Sequence, residues 1–114
     1  MSAWLVTLAL LATTQDPPPS QELLPAQPAA IAYSGGQFDV AFSIYEQALA
    51  DPNTARGPLF YNLGNCAYRL GRHAEAVLSY RRAARYLPRD AELRFNLALA
   101  EQHLGVDNAP TSPT

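Results

Sequence analysis

At 114 residues, of which 10 are proline, the chain has room for one small domain and no more. A formal net charge of −2 excludes a general electrostatic pull toward nucleic acid or anionic lipid. The single cysteine, Cys66, excludes an internal disulfide.

The charge is unevenly spread. All eight basic residues are arginine; seven of them lie between Arg69 and Arg94 against three acids, which makes that window +4. Residues 1–56 carry −4, from five acids and Arg56. A solvated helix face accounts for the arginines. Nine prolines fall outside the stretch Phe60–Pro88, so the foldable region is shorter than the chain.

In chain order, Ala3 to Ala12 is an apolar run, followed by a Pro-rich segment from Asp16. A run of ten residues is too short to span a bilayer but suits a signal-peptide core, and Ala12 and Thr14 offer small residues before a cleavage point. The positively charged start of such a signal is missing. The expectation is export or membrane tethering through residues 3–12, with a cytoplasmic protein as the alternative. The domain reading is a signal peptide or hydrophobic leader at 1–15, a Pro-rich linker at 16–27, a helical domain at 28–105 and a disordered tail at 106–114.

A short helix is predicted from about Pro28 to Ser34, closed by Gly35 and Gly36. Phe38, Ala41, Phe42, Tyr45, Ala48 and Leu49 then make the apolar stripe of an amphipathic helix, ended at Asp51-Pro52-Asn53. Pro58 suits the first turn of the next helix, whose face is Phe60, Leu63, Gly64, Ala67 and Leu70, with Gly71 as its stop. Gly64 predicts close backbone approach by the partner helix, with Ala76 and Ala83 opposite it. That partner helix carries Ala76, Val77, Tyr80, Ala83, Ala84 and Leu87 and ends at Pro88. Asp90 is a good N-cap, with Glu92 well placed against the helix dipole, for a last helix striped with Leu93, Leu97, Ala100 and Leu104 and stopped at Gly105.

The helices repeat. A shift of 35 residues aligns Tyr33 with Tyr68, Gly36 with Gly71, Ala41 with Ala76, Tyr45 with Tyr80 and Ala48 with Ala83. A shift of 34 aligns Asn62 with Asn96, Leu63 with Leu97, Leu70 with Leu104 and Gly71 with Gly105. Phe60-x2-Leu63-Gly64, Gly71, Ala76-x3-Tyr80, Ala83 and Pro88 resemble the tetratricopeptide pattern, with Phe60 in place of the usual Trp and His73 in place of an aromatic. The resemblance implies an all-α solenoid of antiparallel helix hairpins, about two and a half repeats long. More narrowly, the leader together with YNLGNCAYRLGRHAEAV and RDAELRFNLALAEQ is similar to the amino-terminal part of bacterial aerotolerance proteins of the BatE type. Members of that family add membrane-spanning and SH3-like segments that this sequence does not contain, so the likeness implies a repeat module and not the whole family activity.

For function, the resemblance implies a non-catalytic scaffold in the bacterial cell envelope that binds a protein or peptide on its concave face. The first helix of each pair lines that face. The candidate partner-binding residues are therefore Tyr61, Asn62, Asn65, Tyr68 and Arg69, with Phe95, Asn96 and Leu99 in the next unit. Asn65 and Asn96 offer both donor and acceptor, and Arg69 could meet a carboxylate. Some relatives clamp a C-terminal carboxylate with lysines and asparagines, but Tyr61 stands where the first such lysine belongs. Phe95 and Leu99 form a second apolar strip, expected to pack against a partner, against a second copy in self-association through the last helix, or against further sequence downstream. No catalytic residue, metal site or cofactor is expected, because Cys66 sits in a packing slot and His73 and His103 lie thirty residues apart. The alternatives are a truncated fragment of a larger membrane-anchored repeat protein without independent activity, or an enzyme accessory subunit.

Overall fold

The computed structural model describes residues 26–108. The leader, most of the Pro-rich linker and the segment from 109 onward therefore lie outside the described residues. These residues form five α-helices and no strand: α1 (Ala26–Ser34), α2 (Phe38–Ala48), α3 (Arg56–Arg69), α4 (His73–Tyr86) and α5 (Ala91–Asp107). Each helix packs chiefly against the one before and the one after it. None of them is long and apolar enough to cross a membrane.

The two hairpin turns are built alike. Gly36 and Gly71 take φ of 82° and 75°, a left-handed conformation open to glycine without strain. At the first turn Gln37 N–H donates to Ala32 C=O at 2.8 Å and Gly36 N–H to Tyr33 C=O at 3.0 Å. Thirty-five residues later, Arg72 N–H donates to Ala67 C=O at 2.9 Å and Gly71 N–H to Tyr68 C=O at 3.0 Å. Both are Schellman closures, which satisfy the last carbonyls of the first helix and aim the second back along it.

Packing around these turns depends on small residues. Ala41, Ala76, Ala83, Cys66 and Ala67 are fully buried, which lets the helix axes come close. The partner of Gly64 differs from the expectation. A Cβ there would stand 2.5 Å from Tyr80 Cδ1 and Cε1, so the glycine clears space for an aromatic ring and not for Ala76 or Ala83. Two turns earlier, buried Gly57 does the same for Leu87, whose Cγ would lie 2.8 Å from an added Cβ. The buried faces otherwise follow the predicted stripes, with Leu59 added to α3 and Phe60 only half-buried.

The last helix begins as its sequence directs. Asp90 accepts from Leu93 N–H at 2.9 Å, satisfying one of the donors left open at a helix start. Leu93 and Ala100 are fully buried against the preceding pair, while Leu97 and Leu104 are half-buried. The predicted stop at Gly105 is corrected: α5 continues to Asp107, so Val106 and Asp107 are helical and not part of a structureless tail. Glycine ends a helix only where it turns left-handed, and Gly105 does not. α1 likewise starts at Ala26, before Pro28, which sits comfortably in its first turn.

Candidate functional site

The first helices of successive pairs, α1, α3 and α5, share one side of the molecule, and two adjoining clefts open between them. One, of about 100 Å³, is lined by Tyr33, Asn65, Tyr68, Tyr80, Asn96 and Leu99. The other, of about 140 Å³, is lined by Ala30, Tyr33, Ser34, Tyr45, Asn62 and Asn65. Tyr33 and Asn65 belong to both, so the clefts form one groove divided by those two side chains. Each is far below the roughly 300–1,000 Å³ of small-molecule sites and matches a single side chain better.

A chain of hydrogen bonds runs under the groove. Tyr61 Oη donates to Glu92 Oε1 at 2.7 Å. Asn96 Nδ2 donates to Tyr61 Oη at 3.1 Å and approaches Asn65 Oδ1 at 3.4 Å. Tyr80 Oη donates to Asn65 Oδ1 at 2.6 Å. Tyr80 is 1% exposed, so its hydroxyl would be costly to leave unpaired. Burial, and then the bond to Glu92, push the Tyr61 phenol up to about 12. Burial raises the Tyr80 and Tyr45 phenols as well. All three are neutral hydrogen-bonding groups near neutral pH.

The structure thus brings together Asn62, Asn65, Tyr68, Asn96 and Leu99 at the groove, with Tyr61 bracing it from the polar chain. It does not bring Arg69 or Phe95 there. The Arg69 guanidinium lies 4.4 Å from the Phe38 ring centroid and 5.8 Å from that of Tyr33, docked as a cation on the first hairpin turn. Phe95 is 67% exposed and lines neither cleft.

Sequence reasoning missed Tyr33, Tyr45, Tyr80 and Glu92. The repeat shift offered a signal for the first, since it pairs Tyr33 with the groove residue Tyr68. Tyr80 was read only as core and Glu92 only as a charge suited to a helix start. The two histidines also meet. His73 and His103 stack at 5.0 Å beside Tyr68, and Asp107 hydrogen-bonds His73 Nδ1, tying the end of α5 to the start of α4. Among the described residues no group of three or more His, Cys, Asp or Glu side chains is arranged to hold a metal ion. Cys66 is fully buried, and burial pushes its thiol up to about 11, which suits packing and opposes thiolate chemistry.

Paired helices, glycine-closed turns and a groove along the first helix of each pair define a short α-helical repeat array. Residues 58–90, which hold all of α4 and all but the first two residues of α3, match the family model of the tetratricopeptide repeat, so the chain carries one such repeat there. Repeats of this kind are protein-interaction scaffolds. No curated protein gives a significant match to the chain.

Proposed function

We propose that the protein is a non-catalytic scaffold that binds a protein or peptide segment along the groove formed by α1, α3 and α5. The observation that carries this is the continuity of the two clefts, which share Tyr33 and Asn65 and have room for side chains but not for a cofactor. Asn62, Asn65 and Asn96 supply polar contacts, and Tyr33 and Tyr68 supply rigid apolar area beside them. Cell-envelope placement is supported by the apolar run at residues 3–12 and the Pro-rich stretch after it. The likeness to BatE-type proteins of bacteria supports the same setting. Arg69, held on Phe38, contributes by bracing the groove wall, and Phe95 belongs to a separate surface on α5 suited to self-association.

Crosslinking and pull-down from a native envelope fraction test the groove directly. The wild-type chain should recover a partner that the double variant Asn65→Ala, Asn96→Ala does not. Equal recovery by both chains, with helical circular dichroism unchanged, removes the groove from consideration.

A further inference from the structure

The arginines of the chain fall into two groups. Arg56 donates to Leu49 C=O at 2.9 Å, and the Arg69 guanidinium lies 4.4 Å from the Phe38 ring centroid. Arg72 meets Glu75 at 4.0 Å, and Arg81 meets Glu101 at 2.8 Å. The others, Arg82, Arg85, Arg89 and Arg94, are exposed and form no ion pair among the described residues. The acids closest to them in sequence are engaged elsewhere: Asp90 accepts from Leu93 N–H and Glu92 from Tyr61 Oη.

These unpaired cations lie on one side of the molecule. Leu78, Arg82 and Arg85 follow one another at spacings of four and three residues, which stacks them on one face of α4. Arg89 follows in the turn after that helix. Arg94 stands two turns before Glu101 on the same side of α5, the side that reaches α4 at Arg81. Apolar side chains are set among the charges: Leu78 is 50% exposed and Tyr86 is 56% exposed. The opposite face of α4 buries Ala76, Tyr80 and Ala83, and Tyr80 lines the groove. The cationic face therefore points away from the groove.

We infer that this face of α4 rests on a membrane surface rich in anionic lipid and holds the groove open toward solution. A chain of net charge −2 is not drawn to such a surface as a whole. Attraction between arginine and headgroups acts within about 10 Å, however, so the local charge decides. Arginines interleaved with Leu78 and Tyr86 suit an interface better than a dissolved polyanion, because leucine and tyrosine gain by entering the headgroup layer. The apolar run at residues 3–12 supplies a second contact with the same membrane. A single short apolar insertion anchors only marginally, and a cationic patch beside it makes the attachment stable. The inference goes beyond the groove reading and shares with the groove none of the residues proposed to bind there, so the two stand or fall separately.

The test sediments the full-length chain with vesicles of phosphatidylcholine, and with vesicles of phosphatidylcholine mixed with phosphatidylglycerol. Binding should be tighter to the mixed vesicles and should weaken as salt is raised. Arg82→Gln, Arg85→Gln and Arg89→Gln together should lose about a hundredfold on the mixed vesicles, at roughly fivefold per charge, and nothing on the neutral ones. Arg82→Lys, Arg85→Lys and Arg89→Lys together should keep the preference, which separates charge from folding. Leu78→Ser should weaken binding to the mixed vesicles about threefold or more and leave its salt dependence in place. Leu5→Asp with Leu8→Asp, which disables the apolar run, should weaken binding to both kinds of vesicle and preserve the preference for anionic lipid. Equal binding of the wild type to both kinds overturns the inference. So does a glutamine variant that keeps the preference with helical circular dichroism unchanged. Binding to RNA or polyglutamate in place of the mixed vesicles overturns it in favour of a polyanionic partner.

Discussion

Helices α3 and α5 hold the same place in successive repeats, thirty-four residues apart, and their surroundings differ sharply. α3 is enclosed: Gly57 lies under Leu87, Gly64 under the Tyr80 ring, and Leu59, Leu63 and Cys66 meet the first hairpin on the other side. At matching places α5 carries Ala91 and Ala98, both exposed. The same spacing of small residues is thus a tight contact in one helix and open surface in the other. Small side chains set how closely a neighbour can approach, but they do not supply the neighbour.

The largest test of that contrast is a matched pair of substitutions. Gly64→Val drives a branched side chain into a ring whose hydroxyl is already held by Asn65, and should cost about 1–3 kcal/mol in urea unfolding. Ala98→Val, its counterpart, should change stability by no more than about 0.5 kcal/mol. Equal effects at the two positions would mean that the close contact over Gly64 is not what orders the pair.

A second test uses the fully buried match of Cys66 and Ala100. Burial raises the Cys66 thiol from 9.0 to about 11, so folding favours its neutral form. Its contribution is fully present below pH 9.0 and is lost as pH rises toward about 11, because the unfolded chain deprotonates first. Denaturant midpoints followed over that window should fall in the wild type and fall less in Cys66→Ala. The raised phenols of Tyr45, Tyr61 and Tyr80 add their own loss above pH 10.0 in both chains.

The smallest effect on stability is expected at Phe95, which is 67% exposed. Phe95→Ser should leave the melt within about 0.5 kcal/mol of wild type. Its readout is sedimentation: self-association through α5 predicts a concentration-dependent increase in mass that the variant lacks. A wild-type monomer at every concentration would sink that role for the helix.

Much of the fold was legible because the repeat states its punctuation twice. Gly36 and Gly71 lie thirty-five residues apart and form the same closure, and Asp90 caps the helix that its position announces. Gly105 looked like a third stop and is not one. Whether glycine stops a helix depends on backbone angle, and α5 continues to Asp107, whose carboxylate bonds His73 on the neighbouring helix. A local pattern cannot anticipate a bond made across thirty-four residues. The groove was legible in part for the same reason. Asn62, Asn65 and Asn96 follow from which helix faces inward. Arg69 carried the chemistry for a ligand carboxylate, yet the aromatic pair at the first turn holds it. Tyr80 and Glu92 were each assigned one local task and serve a second one across the helix interface.

The succession of contacts from each helix to the next has a consequence for how this chain reaches its folded state. Among the described helices no principal contact joins ones distant along the chain, so contact order is low and loop-closure entropy is small at every step. Such a chain orders progressively, each hairpin offering a ready surface to the helix that follows. It can therefore gain structure while still emerging from a ribosome, before its last helix is available.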